Sequence, residues 1–508
     1  MKKVIPLHPV KPINRSNENE NLEETNHWRD KPAATFHKSQ RPHTTVLLGG
    51  LSEKQDRLIA AAFRGVGYQA ISLPVPNRQA MMLGKEFGNR GQCNPTYFTV
   101  GNLIAYLQKL KTDKGLTADE IKEKYVFLTA SGCGPCRFGM YGTEYRKALR
   151  EAGFDGFRLV TFHHDAGLSQ GSDDAGLALT PLFFLALLKA IIIGDILNAL
   201  GYRIRPYECH KDEVNRVLDA GKKNICRSLE KGKNISRDLI KLRRQLKKVK
   251  LNRLQVKPKV FVTGEFWAVT TEGEGNYQIQ KTIEQEGGEV EVETVSARIL
   301  HNIWEAKYNQ QQRERLASEK KSKHWDWSPV KNRIKYSFAD FAYKTAFRYF
   351  AKLSGLSNYQ LPNMDELAKL SKAYYPLDCQ GGEAHLEVAH VLERQKNKSA
   401  NLVVSIKPFG CLPSSGVSDG VQTIVTAKYP DINFISLETS GDSEANIYSR
   451  LQMALHRAKQ SANNEFETLC KQCDVNHATA HNKINRYNFL PNNGYTSTAS
   501  KLLYAIHK

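Results

Sequence analysis

The sequence predicts an α/β protein of two doubly wound parallel-sheet domains joined by a helical region, preceded by a disordered N-terminal tail. Three observations predict it. Short runs rich in Val, Ile, Leu and Phe alternate with helical segments, as in a parallel sheet buried on both faces. This alternation occurs twice, over residues 44–177 and again over 256–460. Between them, residues 178–255 carry helical periodicity and no strand pattern.

Residues 1–43 include Asn14-Arg-Ser-Asn-Glu-Asn-Glu-Asn, polar and aperiodic, which predicts the tail. They lack the continuous apolar stretch of a secretory signal. In the first domain Thr44–Leu48 reads as a strand, Gly49-Gly50 as a turn, and Ser52 as the cap of a helix running through Phe63. Tyr68–Leu73 is a second strand; Tyr125–Thr129 and Phe157–Phe162 follow, with a helix between them at Tyr141–Ala152.

In the connection, Ala178–Gly194 is very apolar, but Lys189 interrupts it and Asp195 follows, so a buried core helix is expected rather than a membrane span. Residues 211–259 hold 17 Lys or Arg against 5 Asp or Glu, +12 of the chain's net +21. Ile235, Leu239, Leu242, Leu246 and Val249 form one apolar stripe there, with a basic opposite face. That face suits solvent or an acidic partner protein; no nucleic-acid recognition motif accompanies it.

The second domain predicts strands at Val260–Gly264, Glu289–Thr294, Asn401–Ile406 and Ile432–Leu437. Helices are expected at Gly275–Gln285, Gly382–Leu392 and Gly416–Lys428, with a mixed charged region over 305–370 and a C-terminal extension over 461–508. The loop Thr270–Tyr277 reads as a tight turn or as an anion-holding helix start, with Glu272 and Glu274 opposing the latter. The chain has neither a Walker loop nor a dinucleotide fingerprint.

Nine cysteines without a secretory context favour metal or redox chemistry over disulfides. Cys133 and Cys136 directly follow the strand Tyr125–Thr129, Cys411 follows Asn401–Ile406, and Cys93 lies in a Gly- and Asn-rich loop before a helix. Ligands in open α/β sheets collect at the carboxyl ends of strands, so these loops are expected to converge on one crevice. Four thiolates suit a 4Fe–4S cluster or tetrahedral zinc. Cys133-Gly-Pro-Cys136 has the spelling of a thioredoxin dithiol, but Gly132 stands where such sites carry Trp. Cys470, Cys473, His477 and His481 have zinc-ligand types without a finger's long loop, and exposed surface thiols are expected there. Cys209, Cys226 and Cys379 have no partner at ligand spacing.

The words Gly88-Asn-Arg-Gly-Gln-Cys-Asn-Pro-Thr-Tyr, Cys133-Gly-Pro-Cys-Arg-Phe-Gly-Met-Tyr and Arg205-Pro-Tyr-Glu resemble the 2-hydroxyglutaryl-CoA dehydratase family, in its activator-related, double-cubane-like branch. So do Thr263-Gly-Glu-Phe-Trp, Gly381-Gly-Glu-Ala-His-Leu-Glu-Val and Pro408-Phe-Gly-Cys-Leu-Pro. The resemblance implies flavodoxin-like domains with an iron–sulfur cluster between them, on Cys93, Cys133, Cys136 and Cys411. It also implies a separate ATP-hydrolysing iron–sulfur activator as electron donor. Electron transfer, or the reduction or dehydration of a small substrate such as an acyl-CoA, would be the function. A double-cubane cluster or zinc is the alternative occupant, and a non-catalytic scaffold or maturation protein the alternative role. Arg137 is a candidate donor beside the cluster, and Glu265, Glu383 and His385 are candidates for proton transfer. A cytoplasmic location is expected, with neither nucleic acid nor membrane as partner.

Overall fold

Two parallel sheets organise the chain in a computed structural model that describes residues 35–132, 136–163, 167–168, 175–178, 180–319, 328–383, 385–441, 443–473 and 494–507. In the first domain β1 (Thr45–Leu48) leads through α1 (Glu53–Gly65) to β2 (Gln69–Ser72). Helices α2 (Arg78–Phe87), α3 (Asn94–Lys114) and α4 (Ala118–Lys124) precede β3 (Tyr125–Ser131). Then α5 (Tyr141–Glu151) joins it to β4 (Leu159–His163), and a two-residue β5 (Gly167–Leu168) follows. The sheet order is β2-β1-β3-β4-β5; the first four strands are parallel and β5 pairs antiparallel at the edge. Ser52 caps α1 as its position predicts, its hydroxyl accepting from Gln55 N while the Gln55 side chain reaches back.

The connection is helical: α6 (Pro181–Ile204), α7 (Glu213–Glu230) and α8 (Ser236–Leu246). Among the described residues one apolar helical run, Pro181–Tyr207, is long enough to cross a membrane, and half of it is buried. Its inner part from Ala190 to Leu200 packs on α1, whereas Leu182 and Leu185 near its start are exposed, so the core-helix expectation holds only for that inner part. The basic segment's stripe Ile235, Leu239, Leu242, Leu246 and Val249 is buried in the same core, which leaves Lys241, Arg244, Lys247 and Lys248 exposed on the other face.

In the second domain β6 (Lys259–Gly264) is followed by α9 (Phe266–Thr270), α10 (Ile279–Gln285) and β7 (Glu289–Val292). Helices α11 (Val295–Glu319), α12 (Ser328–Ser354) and α13 (Met364–Ser371) fill the region expected to be mixed, and α14 (His385–Lys396) forms where a helix was expected at Gly382–Leu392. Next come β8 (Leu402–Pro408), α15 (Leu412–Ser415), a π-helical turn Gly416–Val421, α16 (Gln422–Lys428), β9 (Phe434–Thr439) and α17 (Glu444–Cys473), with a last helix at Thr498–His507. All four strands are parallel, in the order β7-β6-β8-β9. With β1 and β6 each beside the next two strands of their sheets, both domains are doubly wound and flavodoxin-like.

Several expectations need correction. Residues 1–34 of the predicted tail lie outside the described residues, but 35–43 are packed chain. Phe36 is buried under the Arg158 guanidinium, and Arg41 donates to the carbonyls of Ala175 and Gly176. Arg158 is itself buried and donates to the carbonyls of Lys122 and Glu123, to Gln40 Oε1 at 2.8 Å and to Thr44 Oγ1 at 3.2 Å. The helix expected from Gly275 starts only at Ile279, because Tyr277 and Gln278 take left-handed φ of 56° and 51°. Asn276 Nδ2 donates to the carbonyls of Ala268 and Thr271, 2.7 Å each, so the Gly-rich loop closes on itself as a turn. Helix α17 runs unbroken through residue 460, where a boundary was expected. Cys473, expected at the surface, is buried with Phe466, Leu469, Leu502 and Leu503. His477 and His481 lie outside the described residues.

Candidate metal centre at the domain seam

Cys93 is the N-cap of α3, where Pro95 fits the first helical turn. Its loop is pinned by Glu144, a buried carboxylate on α5 that accepts from Asn89 N, Asn89 Nδ2 and Gln92 Nε2 at 3.2, 2.6 and 3.0 Å. Across the seam, Asn94 N donates to Phe409 O at 3.2 Å and Asn94 Nδ2 to Thr439 O at 2.8 Å. Gly410, at φ 77°, lies so close that an added Cβ would stand 3.3 Å from Cys93 Cα. The next residue, Cys411, is buried and starts α15. The loops of Cys93 and Cys411, from different domains, therefore touch.

Cys136 heads the 3-10 turn Arg137–Met140, and its sulfur accepts from Phe138 N at 3.5 Å. Burial pushes its thiol up to about 12, and the nearby Glu265, Glu383 and Cys93 push the same way. Burial also raises the Cys411 thiol, with Glu265 and Glu383 adding to it. Without a cation these thiols stay protonated, and a bound metal is the counter-charge that would draw thiolates from them. In that sense the donor set fits a thiolate-held group. Cys133, the fourth predicted ligand, lies outside the described residues. Among the described residues no three His, Cys, Asp or Glu side chains form a ready metal-binding group.

Glu265 directly follows β6, whose last residue Gly264 has a φ of 124° and lies against the Ile406 backbone of β8. Its carboxylate caps α9, accepting from Ala268 N at 2.8 Å, while Glu383 Oε1 accepts from Phe266 N at 3.0 Å. Burial first, and then the Glu383 charge, pushes Glu265 up to about 8. Burial likewise raises Glu383, against the opposing pull of Arg298, whose Nη1 donates to Gly382 O at 2.5 Å. Glu265 therefore keeps its proton at neutral pH, and both carboxyls act on the Cys136 and Cys411 thiols.

The other two candidates sit differently. His385 is buried 5.0 Å, ring to ring, from both His301 and Trp304; burial and then His390 and Arg298 lower it to about 4, which keeps it neutral. Its electrostatic partners are these groups rather than the thiols. Arg137 donates from Nη1 to Gly91 O, tying the Cys136 turn to the Cys93 loop, and its Nε is buried without a hydrogen-bond partner.

Five residues at or near the seam carry no motif of their own that marks them in the sequence. Tyr141 and Thr96 place hydroxyls 3.2 Å from Cys93 Sγ. Arg298 faces the carboxyl pair. Glu293 and His390, 3.6 Å apart in the interior, form an ion pair in which Glu293 is lowered and His390 raised to about 9 despite burial. Neither member of that pair lies in a cysteine word, but Glu293 lies near the carboxyl end of the predicted strand Glu289–Thr294, which was the available signal. Compared with known proteins, the chain matches no protein-family model and no curated protein sequence.

Proposed function

We infer that this chain is an iron–sulfur protein whose Cys93, Cys136 and Cys411, together with Cys133, hold a 4Fe–4S cluster at the seam of its two α/β domains. The observation that carries the reading is the contact of the Cys93 and Cys411 loops, made by Gly410 and Asn94, with the Cys136 turn tied to the Cys93 loop by the Arg137 hydrogen bond to Gly91 O. When bound, such a cluster stores one electron at low potential. Following the resemblance to the 2-hydroxyglutaryl-CoA dehydratase family, the electron comes from a separate ATP-hydrolysing iron–sulfur activator. It serves electron transfer, or the reduction or dehydration of a small substrate such as an acyl-CoA, in the cytoplasm.

The chain's own residues supply the rest. Glu265, pushed up to about 8, holds a proton at neutral pH beside the thiols and is placed to deliver it. The Glu383 charge helps keep that proton on Glu265, and Arg298 opposes it. Met140, Phe409 and Leu412, near Cys136 and Cys411 in sequence, are exposed apolar residues.

Anaerobic purification with metal and sulfide analysis tests the reading. The expected result is a brown protein with about four irons and four acid-labile sulfides per chain. A colourless protein containing zinc and no sulfide would overturn it in favour of a structural metal site in a scaffold or maturation protein.

A further inference from the structure

Cys93 differs from its partners in the company its sulfur keeps. Cys136 Sγ receives one backbone N–H and Cys411 Sγ has Ser414 as its hydrogen-bond partner, whereas Cys93 Sγ lies between two hydroxyls of different helices, Tyr141 Oη and Thr96 Oγ1, each at 3.2 Å. All three residues are buried. Their positions are fixed from opposite sides. Thr96 belongs to the first turn of α3, which Cys93 itself caps. Tyr141 opens α5, and its ring packs edge-on against Phe138 at 5.1 Å. A thiolate has no proton to give, so once Cys93 ligates a metal these hydroxyls can only donate to it.

On the basis of the cluster assignment above, we propose that Tyr141, assisted by Thr96, sets the reduction potential of the bound cluster by hydrogen bonding to Cys93 Sγ. Reduction adds one negative charge, shared by the iron and its sulfur ligands. A donor aimed at sulfur stabilises the reduced state more than the oxidised one and raises the potential. Tyr141 is a positioning residue in this sense: it touches a ligand, not a reacting atom.

The test is anaerobic redox titration of the full chain, followed in the visible band, for the wild type and four variants. Tyr141→Phe should keep the cluster colour and lower the reduced-to-oxidised ratio at a fixed poise about tenfold, which for a one-electron couple is about 59 mV. Thr96→Val should shift the potential in the same direction, while Thr96→Ser, which restores the hydroxyl, should return it to the wild-type value. Tyr145→Phe is the control. Tyr145 is a buried tyrosine one turn further along α5 whose hydroxyl pairs with Thr99 and Thr129 instead of a cysteine, so its loss should leave the potential unchanged. Wild-type potential in a coloured Tyr141→Phe protein overturns the assignment. If that variant fails to fold, equal potentials for Thr96→Val and Thr96→Ser overturn it instead. A colourless wild-type chain overturns the cluster reading itself, and this assignment with it.

Discussion

Replacing Glu265 with Gln should flatten a fall in stability with pH that the buried carboxyl pair imposes on the metal-free protein. An unfolded Glu loses its proton near 4.5, whereas Glu265 in the fold keeps one up to about 8, chiefly because burial penalises the charged form and Glu383 adds repulsion. Between these values the folded state binds one more proton than the unfolded state. Stability from this group is therefore fully present below 4.5 and is lost as pH rises through 8, at roughly 1.4 kcal/mol per pH unit. From pH 5 to 8 the loss is on the order of 4 kcal/mol. The amide of Gln can still accept from Ala268 N but takes up and releases no proton over this range. The assay is urea unfolding at pH 5, 6, 7 and 8, read by tryptophan fluorescence, since Trp267 lies in the helix that Glu265 caps. The wild type should lose markedly more stability than the variant between pH 5 and 8. Parallel profiles for the two proteins would refute the account of a buried Glu265 that keeps its proton.

The ligand assignment predicts that Cys411→Ser bleaches the cluster, whereas Cys470→Ser and Cys473→Ser leave its spectrum intact; Cys473→Ser should loosen only the C-terminal apolar cluster, seen as faster amide exchange over 494–507. Asn94→Ala removes the donor to Thr439 O at the seam and should cost about 1–3 kcal/mol, with amide exchange rising around residues 409–411 and 439–441. Leu242→Ala should cost about 2–5 kcal/mol in urea unfolding, because Leu242 is buried against Gly221 of the neighbouring helix. Changing the exposed Lys241, Arg244, Lys247 and Lys248 to Glu should leave folding unchanged yet slow reduction by the activator and weaken its salt dependence; an unaltered rate in stopped-flow reduction would show that the activator docks elsewhere.

The strands were legible because a parallel sheet covered on both faces demands continuous apolar runs, and Val46-Leu47-Leu48 or Val260-Phe261-Val262 admit little else. The cysteine loops were legible for a related reason: each strand's carboxyl end is set by where its run stops, so Cys136 and Cys411 could be assigned to the carboxyl ends of β3 and β8 from spacing alone. What stayed hidden depends on helix rotation about the sheet. Tyr141, Arg298 and His390 project from helices whose faces are chosen by packing, and periodicity does not say which turn meets the seam. The π-helical turn Gly416–Val421 had no cue beyond its glycines. Cys473 was misjudged because its burial comes from Leu502 and Leu503, some thirty residues later and beyond a polar stretch. Phe36 was lost in a polar segment, where a single aromatic leaves no period to detect.

That aromatic has a practical consequence for anyone shortening the chain. Trimming to Thr44, where the apolar pattern begins, would strip Phe36 from beneath the Arg158 guanidinium and remove its Gln40 acceptor. The guanidinium would keep its charge but lose part of its coordination and its cover, and it reaches into the joint between α4 and β3 through the carbonyls of Lys122 and Glu123. The short N-terminal strap thus behaves as a clasp on the first sheet. Proteolytic nicking or a fusion tag placed between residues 36 and 43 would unfasten it, and the damage would surface at β3, the strand that carries the Cys133 and Cys136 loop.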